Sequence, residues 1–264
     1  MALPEILEAD ATGEVAATYG ALRQALGIPL VNLIWRHFAA LPGVLPWAWA
    51  ALRPVAQAQA LREGTARMEA RIAALAGPGL AVLPVLVPAQ MAVTELYNRG
   101  NGLNLQLLTA LRQAVTGAPC GGGPALPQAA PLAMLPPVPP MPRLEVLEAA
   151  TRAEVLALAA LHGEGAAAAV PSLYRHLALW PAVLPPLYAA LAPMAASGLI
   201  AAGRAALVAE ASATAGLLLP ALRPPGAFPA EQRAATLAAL ETFTGRIIAE
   251  LGTVGLLLRA RAAA

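Results

Sequence analysis

With 264 residues, 58% of them hydrophobic and 12% charged, the chain carries ample apolar side chain for one large domain or two small ones, which excludes disorder. The formal net charge is +2, and the 17 basic residues, all arginine, are scattered singly. No basic face for nucleic acid can form from them, and a lysine Schiff base is ruled out. The lone Cys120, in GAPCGGGP, excludes an internal disulfide and a CxxC redox pair.

Ala and Leu dominate and aromatics are 4%, a mixture that favours helices. Residues 13–26 place Val15, Tyr19, Leu22 and Leu26 at helical spacing, with Gly27 and Pro29 as stops. Residues 30–41 predict a short helix carrying Trp35, Arg36 and His37, and Pro42 and Pro46 bracket a turn. Residues 47–76 predict a helix with Arg62, Glu63, Arg67, Glu69 and Arg71 on an exposed face. GPGLAVLPVLVP (77–88) predicts an apolar loop or short strand-like piece, and 89–115 a long helix despite the GNG at 100–102. The Pro/Gly density of 116–143 precludes regular structure, while its Leu, Met and Val content predicts a segment wrapped across the surface. Helices follow over 144–162, 185–200 and 203–219, and PPGAFPAEQ opens a last one reaching about 260.

One stretch of the chain occurs twice. RHFAALPGVLPWAWAALRP (36–54) and RHLALWPAVLPPLYAALAP (175–193) match at 11 of 19 positions. Two distant copies are too few for a solenoid and predict a duplicated half-domain. The expected architecture is all-α: a first helical repeat (1–115), a Pro/Gly-rich linker (116–143) and a second repeat (144–264), forming an intrachain pseudo-dimer within one compact domain. The junction of the repeats is the expected place for a ligand cleft.

The uncharged run 176–203 is long enough to span a bilayer, but Pro181, Pro185, Pro186 and Pro193 break it repeatedly. Its first copy has only 16 residues between Arg36 and Arg53. The acidic N-terminus has no signal-peptide layout. A cytoplasmic protein without membrane contact is expected.

Few polar residues stand out. Asn98, Asn101 and Asn104 recur at i, i+3, i+6, on one side of a helix, where their amides can donate to a carboxylate or orient a water; the alternative is an exposed polar face. Arg36–His37 and their copies Arg175–His176 offer an anion clamp, or simply turn caps, and the duplication favours the structural role. No metal-ligand spacing, P-loop, dinucleotide fingerprint or nucleophile elbow occurs, so neither metal nor cofactor is expected.

In order and spacing, TGE…ATY at 12–19, Pro29, Arg36, PGVLPWAW at 42–49, YNRGNGLNLQLLTAL at 97–111, HG at 162–163, Ser172, LALWPAVL at 177–184 and, more weakly, RIIAEL at 246–251 resemble the group I halocarboxylic acid dehalogenases. The resemblance covers nearly the whole chain. It implies an all-α pair of repeats around one active site, and hydrolysis of 2-haloalkanoic acids of either configuration. An aspartate-activated water attacks the halogen-bearing carbon directly, without an ester intermediate. Carried over by position, the water-orienting asparagine falls on Asn101, the serine before the catalytic aspartate on Ser172, and the aspartate itself on Leu173. Two aromatic pocket positions fall on Leu30 and Leu33, with Asn98 alongside. Leucine accepts no proton, so a replacement base is needed: His176, one turn beyond Leu173, or Glu164 in the preceding loop.

Three readings follow. The chain hydrolyses a small 2-haloacid, with Asn101 and His176 catalytic and Leu30, Leu33, Asn98, Ser172 and Leu173 touching substrate. Or it is a lapsed relative that binds a small apolar carboxylic acid. Or it is a structural protein whose cleft is filled. Its partner is a small-molecule carboxylic acid, and a homodimer stays open.

Overall fold

The computed structural model describes residues 4–163 and 170–263, and among these the chain is all-α with no strand. Glu164 lies outside the described residues.

The first half holds α1 (Gly13–Leu26), α2 (Leu33–Ala39), α3 (Val44–Leu52), α4 (Gln59–Ala76) and α5 (Pro88–Val115). The second holds α6 (Ala149–Ala160), α7 (Ser172–Leu177), α8 (Leu184–Ala196), α9 (Leu199–Leu218), α10 (Arg233–Thr242) and α11 (Ile248–Ala263). A π-helical turn, Phe243–Ile247, joins the last two. α1 buries Tyr19, Leu22 and Leu26 at the expected spacing. It ends at Gly27 in the left-handed conformation (φ 62°), and a Cβ there would sit 2.7 Å from Leu132 of the linker.

Several boundaries differ from expectation for local reasons. The predicted 47–76 helix is two, interrupted by a 3₁₀ turn at Arg53–Val55 containing Pro54, whose ring cannot continue the first helix. Residues 77–82 form a 3₁₀ turn instead of a strand-like piece. Pro193 lies inside α8 without ending it, whereas Pro185 and Pro186 fall in the first turn, where no N–H is missed. The GNG sequence is continuous α-helix, because burial outweighs intrinsic propensity: Gly100 is packed so closely that an added Cβ would stand 3.1 Å from the Asn32 amide.

α5 is the central strut, buried on every face from Leu103 to Leu111 as a helix enclosed on all sides must be. α9 and α11 pack against both α4 and α5. Arg67 and Arg71 of α4 meet Glu210 of α9, and Arg259 of α11 meets Glu69 and Glu95.

The linker runs extended along the surface. Its backbone bonds Gln59 N–H to the Pro127 carbonyl (2.8 Å), Ala129 N–H to Gln57 (2.9 Å) and Leu135 N–H to Gly27 (2.9 Å). Leu126, Leu132, Leu135 and Val138 pack inward against the core. The uncharged run 176–203 is split at 178–180, just before Pro181, and again at Ser197–Gly198, whereas Pro185, Pro186 and Pro193 are all carried within α8. Among the described residues one helix, Leu199–Ala221, is long and apolar enough to cross a membrane; it carries Arg204 and Glu210 in salt bridges.

Candidate active site

Where α2, α5 and α7 converge under the linker, a cavity of about 310 Å³ is lined by Leu30, Leu33, Arg36, Tyr97, Ser172 and His176, with Glu8 at its edge and residues 137–141 as its cover. A smaller void of about 60 Å³ shares Asn32, Leu33, Tyr97 and Ser172 with it and reaches Asn101, Phe243 and Ile247. The π turn brings these last two residues to Asn101, an irregularity often found beside functional sites.

The three asparagines do not form an exposed face; all are buried, and each has its own task. Asn104 is structural. Its Oδ1 accepts from Trp35 Nε1 (2.8 Å) and its Nδ2 donates to Asn32 Oδ1 (2.8 Å), tying α2 to α5. That occupies the Asn32 oxygen and leaves the Asn32 Nδ2 half for the cavity. Asn98 donates to the Gly255 carbonyl (3.1 Å) and lines neither void of the site. Its predicted contact with substrate has no counterpart in these two voids: Nδ2 joins α5 to α11, while Oδ1 is buried without a partner among the described residues. Asn101 differs in lining the smaller void, and its Nδ2 is buried without a hydrogen-bond partner among the described residues. A buried donor left unpaired costs about 1–3 kcal/mol, so such an atom calls for an explanation.

Ser172 opens α7 and faces both voids. Leu173 is fully buried in the hydrophobic core and lines neither. Successive helical residues point about 100° apart, so a residue next to a cavity-facing one turns inward. The predicted contact of Leu173 with substrate thus falls on the core, and the cavity-facing position of the pair is Ser172. α7 is held by a buried relay: the Tyr174 hydroxyl meets His162 Nε2 (2.7 Å), and His162 Nδ1 meets Glu250 (2.8 Å). Burial pushes the Glu250 carboxyl up, but the His162 hydrogen bond and the charges of His162, Arg246 and Arg204 outweigh it and hold its pKa low.

His176 lines the cavity with both ring nitrogens engaged. Nε2 lies 2.6 Å from the Pro139 carbonyl, which can only accept, so Nε2 carries the proton. Nδ1, 3.2 Å from the Tyr97 hydroxyl, is then the acceptor. Burial lowers the His176 pKa, with the Pro139 bond pulling partly back. Tyr97 is pushed well up by burial, against the charges of Arg36 and Arg175. The pair is neutral near pH 7.

Sequence reasoning missed Tyr97, Asn32, Phe243, Ile247 and Glu8. Tyr97 stood in the YNRGNG motif without a role; no sequence signal marked the π turn or the tail carboxylate. Glu8 accepts from Val31 N–H (2.8 Å) and Arg23 (2.9 Å), so both its oxygens are occupied. No group of three or more His, Cys, Asp or Glu that could hold a metal occurs among the described residues.

No protein-family profile and no curated protein matches the chain. Its similarity is to solved structures. A D-2-haloacid dehalogenase mutant in complex with D-2-CPA matches with a TM-score of 0.80 at 20% identity, covering 98% of this chain and 96% of that one. A D-2-haloacid dehalogenase in complex with L-LA matches with a TM-score of 0.79 at 18% identity, over 98% of this chain and 96% of that one. A further mutant of such an enzyme matches at 0.77 and 18%, over 99% and 94%. Full-length agreement at this level establishes that the chain has the fold of the D-2-haloacid dehalogenases.

Proposed function

We propose that this chain is a divergent relative of the group I haloacid dehalogenases that binds a small 2-substituted carboxylic acid in the α2–α5–α7 cavity, and that its direct hydrolysis is crippled. The observation that carries the reading is the buried, unpartnered Asn101 amide beside a void with Ser172 across it. That is the arrangement expected of a site built to hold a water or a substrate oxygen.

Carboxylate recognition falls to the Asn32 and Asn101 amides, with Arg36 in the lining contributing only the part of its guanidinium left free by Glu5 and the Val31 carbonyl. The apolar 2-substituent rests on Leu30, Leu33 and Leu96. Hydrolysis would need water to form its bond to C2 as the halide leaves with the bonding pair, and a base to take the water's proton. Among the described residues the lining holds only one carboxylate, Glu8, and it is tied to Arg23 and Val31. Without a base the step loses roughly two to four orders of magnitude.

The pseudo-dimer is part of the proposal. The offset of the duplicated segments, 175 − 36 = 139, carries α4 onto α9 and α5 onto α10 and the start of α11, and α4 packs on α9 while α5 packs on both α10 and α11. A soluble, cytoplasmic protein fits the ion pairs along its most apolar long helix.

One observation favours a second reading: His176 keeps an unprotonated Nδ1 behind the Tyr97 hydroxyl, so a water's proton has a path through Tyr97 to His176. Calorimetric titration with 2-chloropropionate, paired with chloride-release measurement, separates the two. The proposal expects binding that weakens at least tenfold in Asn101→Ala, with chloride release at background. Absence of binding sinks it. Chloride release by the wild type, lost in His176→Gln, replaces it with the second reading.

A further inference from the structure

On the far side of α5 from this site lies a second cavity of about 320 Å³, lined by Arg62, Thr65, Glu69, Asn98, Arg99 and Arg259 among others. Arg99 follows Tyr97 by two residues and so points about 200° around the helix from it. The charges in this cavity do not balance. Arg259 pairs with both neighbouring carboxylates, Glu69 and Glu95, and Glu95 also accepts from Asn98 (3.3 Å), so two carboxylates face three guanidinium groups. Arg99 donates to the carbonyls of Gly27 (2.9 Å) and Ala133 (2.7 Å). Arg62, expected on a solvated face, instead has both terminal nitrogens buried with no hydrogen-bond partner among the described residues. Burial and then the positive charge of Arg99 work against its ionised form.

A guanidinium without a partner beside a second cation is costly, and no need of the fold accounts for it. A planar fork of paired N–H donors matches an oxyanion bidentately. We infer that the Arg62–Arg99 cavity is a second ligand site that takes a small oxyanion, its two facing oxygens received by the Arg62 fork and its charge balanced by Arg99. Thr65 and Ala66 of α4 and Leu103 of α5 wall it, so the ligand is small. The inference does not depend on what the α2–α5–α7 cavity binds.

The test is thermal unfolding of the full chain in inorganic phosphate, in sulfate, and in sodium chloride at matched ionic strength. Wild type is expected to gain at least about 3 °C in phosphate or sulfate over chloride once the site is saturated. Arg62→Met should lose the gain and, in chloride, melt at or above the wild-type temperature, because a repulsive charge is gone. Arg62→Lys, which keeps the charge but not the fork, should need at least about fivefold more anion. Asn101→Ala should respond as wild type does, separating the two sites. No oxyanion-specific gain, or an equal gain in Arg62→Met, overturns the inference. So does an Arg62→Met protein that melts well below wild type while Arg62→Lys matches wild type in both melting and anion response, since Arg62 would then be structural.

Discussion

In the first copy of the duplicated segment, His37 donates from Nδ1 to the Pro4 carbonyl (2.8 Å) and Arg36 pairs with Glu5 (2.6 Å). In the second, His176 donates from Nε2 to the Pro139 carbonyl (2.6 Å) and Arg175 donates to the Pro142 carbonyl (3.1 Å). Both Arg–His pairs therefore pin the extended chain that leads into their half: the N-terminal tail in one case, the end of the linker in the other. They do not cap the proline turns. Beyond that shared task the copies part. Arg36 from one and His176 from the other line the same cavity. The anchoring of the two short helices differs as well. α2 is tied by the neutral relay Trp35–Asn104–Asn32, and α7 by the charged relay Tyr174–His162–Glu250.

The sharpest way to break this comparison is at neighbouring positions of α7. Leu173→Asp buries a carboxylate in the core and is expected to cost at least about 4 kcal/mol in urea unfolding. Ser172→Asp places the same group in the cavity and should cost less than about 1.5 kcal/mol. Equal losses would mean that Ser172 does not face the cavity.

Next comes the relay behind α7. Glu250→Ala leaves the buried His162 and the Arg204 end unpaired and should cost about 3–5 kcal/mol. Because the folded pKa of Glu250 is depressed, its contribution is fully present above the unfolded carboxylate value of about 4.5 and is lost as pH falls below it. Wild type should weaken through that window and the variant should weaken less. Its neutral counterpart is worth less: Asn104→Ala should cost about 2 kcal/mol, from the stranded Trp35 N–H and Asn32 oxygen, with no such pH dependence.

The smallest effect sits on His176. Its folded pKa lies below the unfolded value of about 6.5, so the unfolded chain binds the extra proton. Stability is complete above that value and declines as pH falls from it, by at most about 1.4 kcal/mol per pH unit. His176→Gln should flatten the decline between pH 6.5 and 5; an unchanged slope would show that the ring is not buried behind Tyr97.

Much of the fold could be read from residues alone. The helical spacing in 13–26 and the absence of regular helix or strand that the Pro/Gly composition implies over most of 116–143 each have their counterpart in the structure. One proline was harder: Pro54 splits what looked like one helix, whereas Pro193 is carried inside α8 as the predicted 185–200 helix requires, because tertiary packing decides whether a ring is tolerated. Leu30, Leu33 and Ser172 line the larger cavity and Asn101 the smaller void beside it, whereas Asn98 and Leu173 line neither. Spacing along the chain gives a helix face only to within about one residue, and that residue separates cavity from core. The contributions of Tyr97, the π turn and Glu8 depend on distant segments meeting, which no local pattern records.

The cavity reading is tested most directly by chloride release from 2-chloropropionate by folded Ser172→Asp beside wild type. If Asn101 already awaits a water and only a proton acceptor is lacking, the variant should exceed wild type by at least about 100-fold, and Asn101→Ala in the same background should abolish the gain. A folded Ser172→Asp protein that binds the acid yet releases no more chloride than wild type would contradict the account.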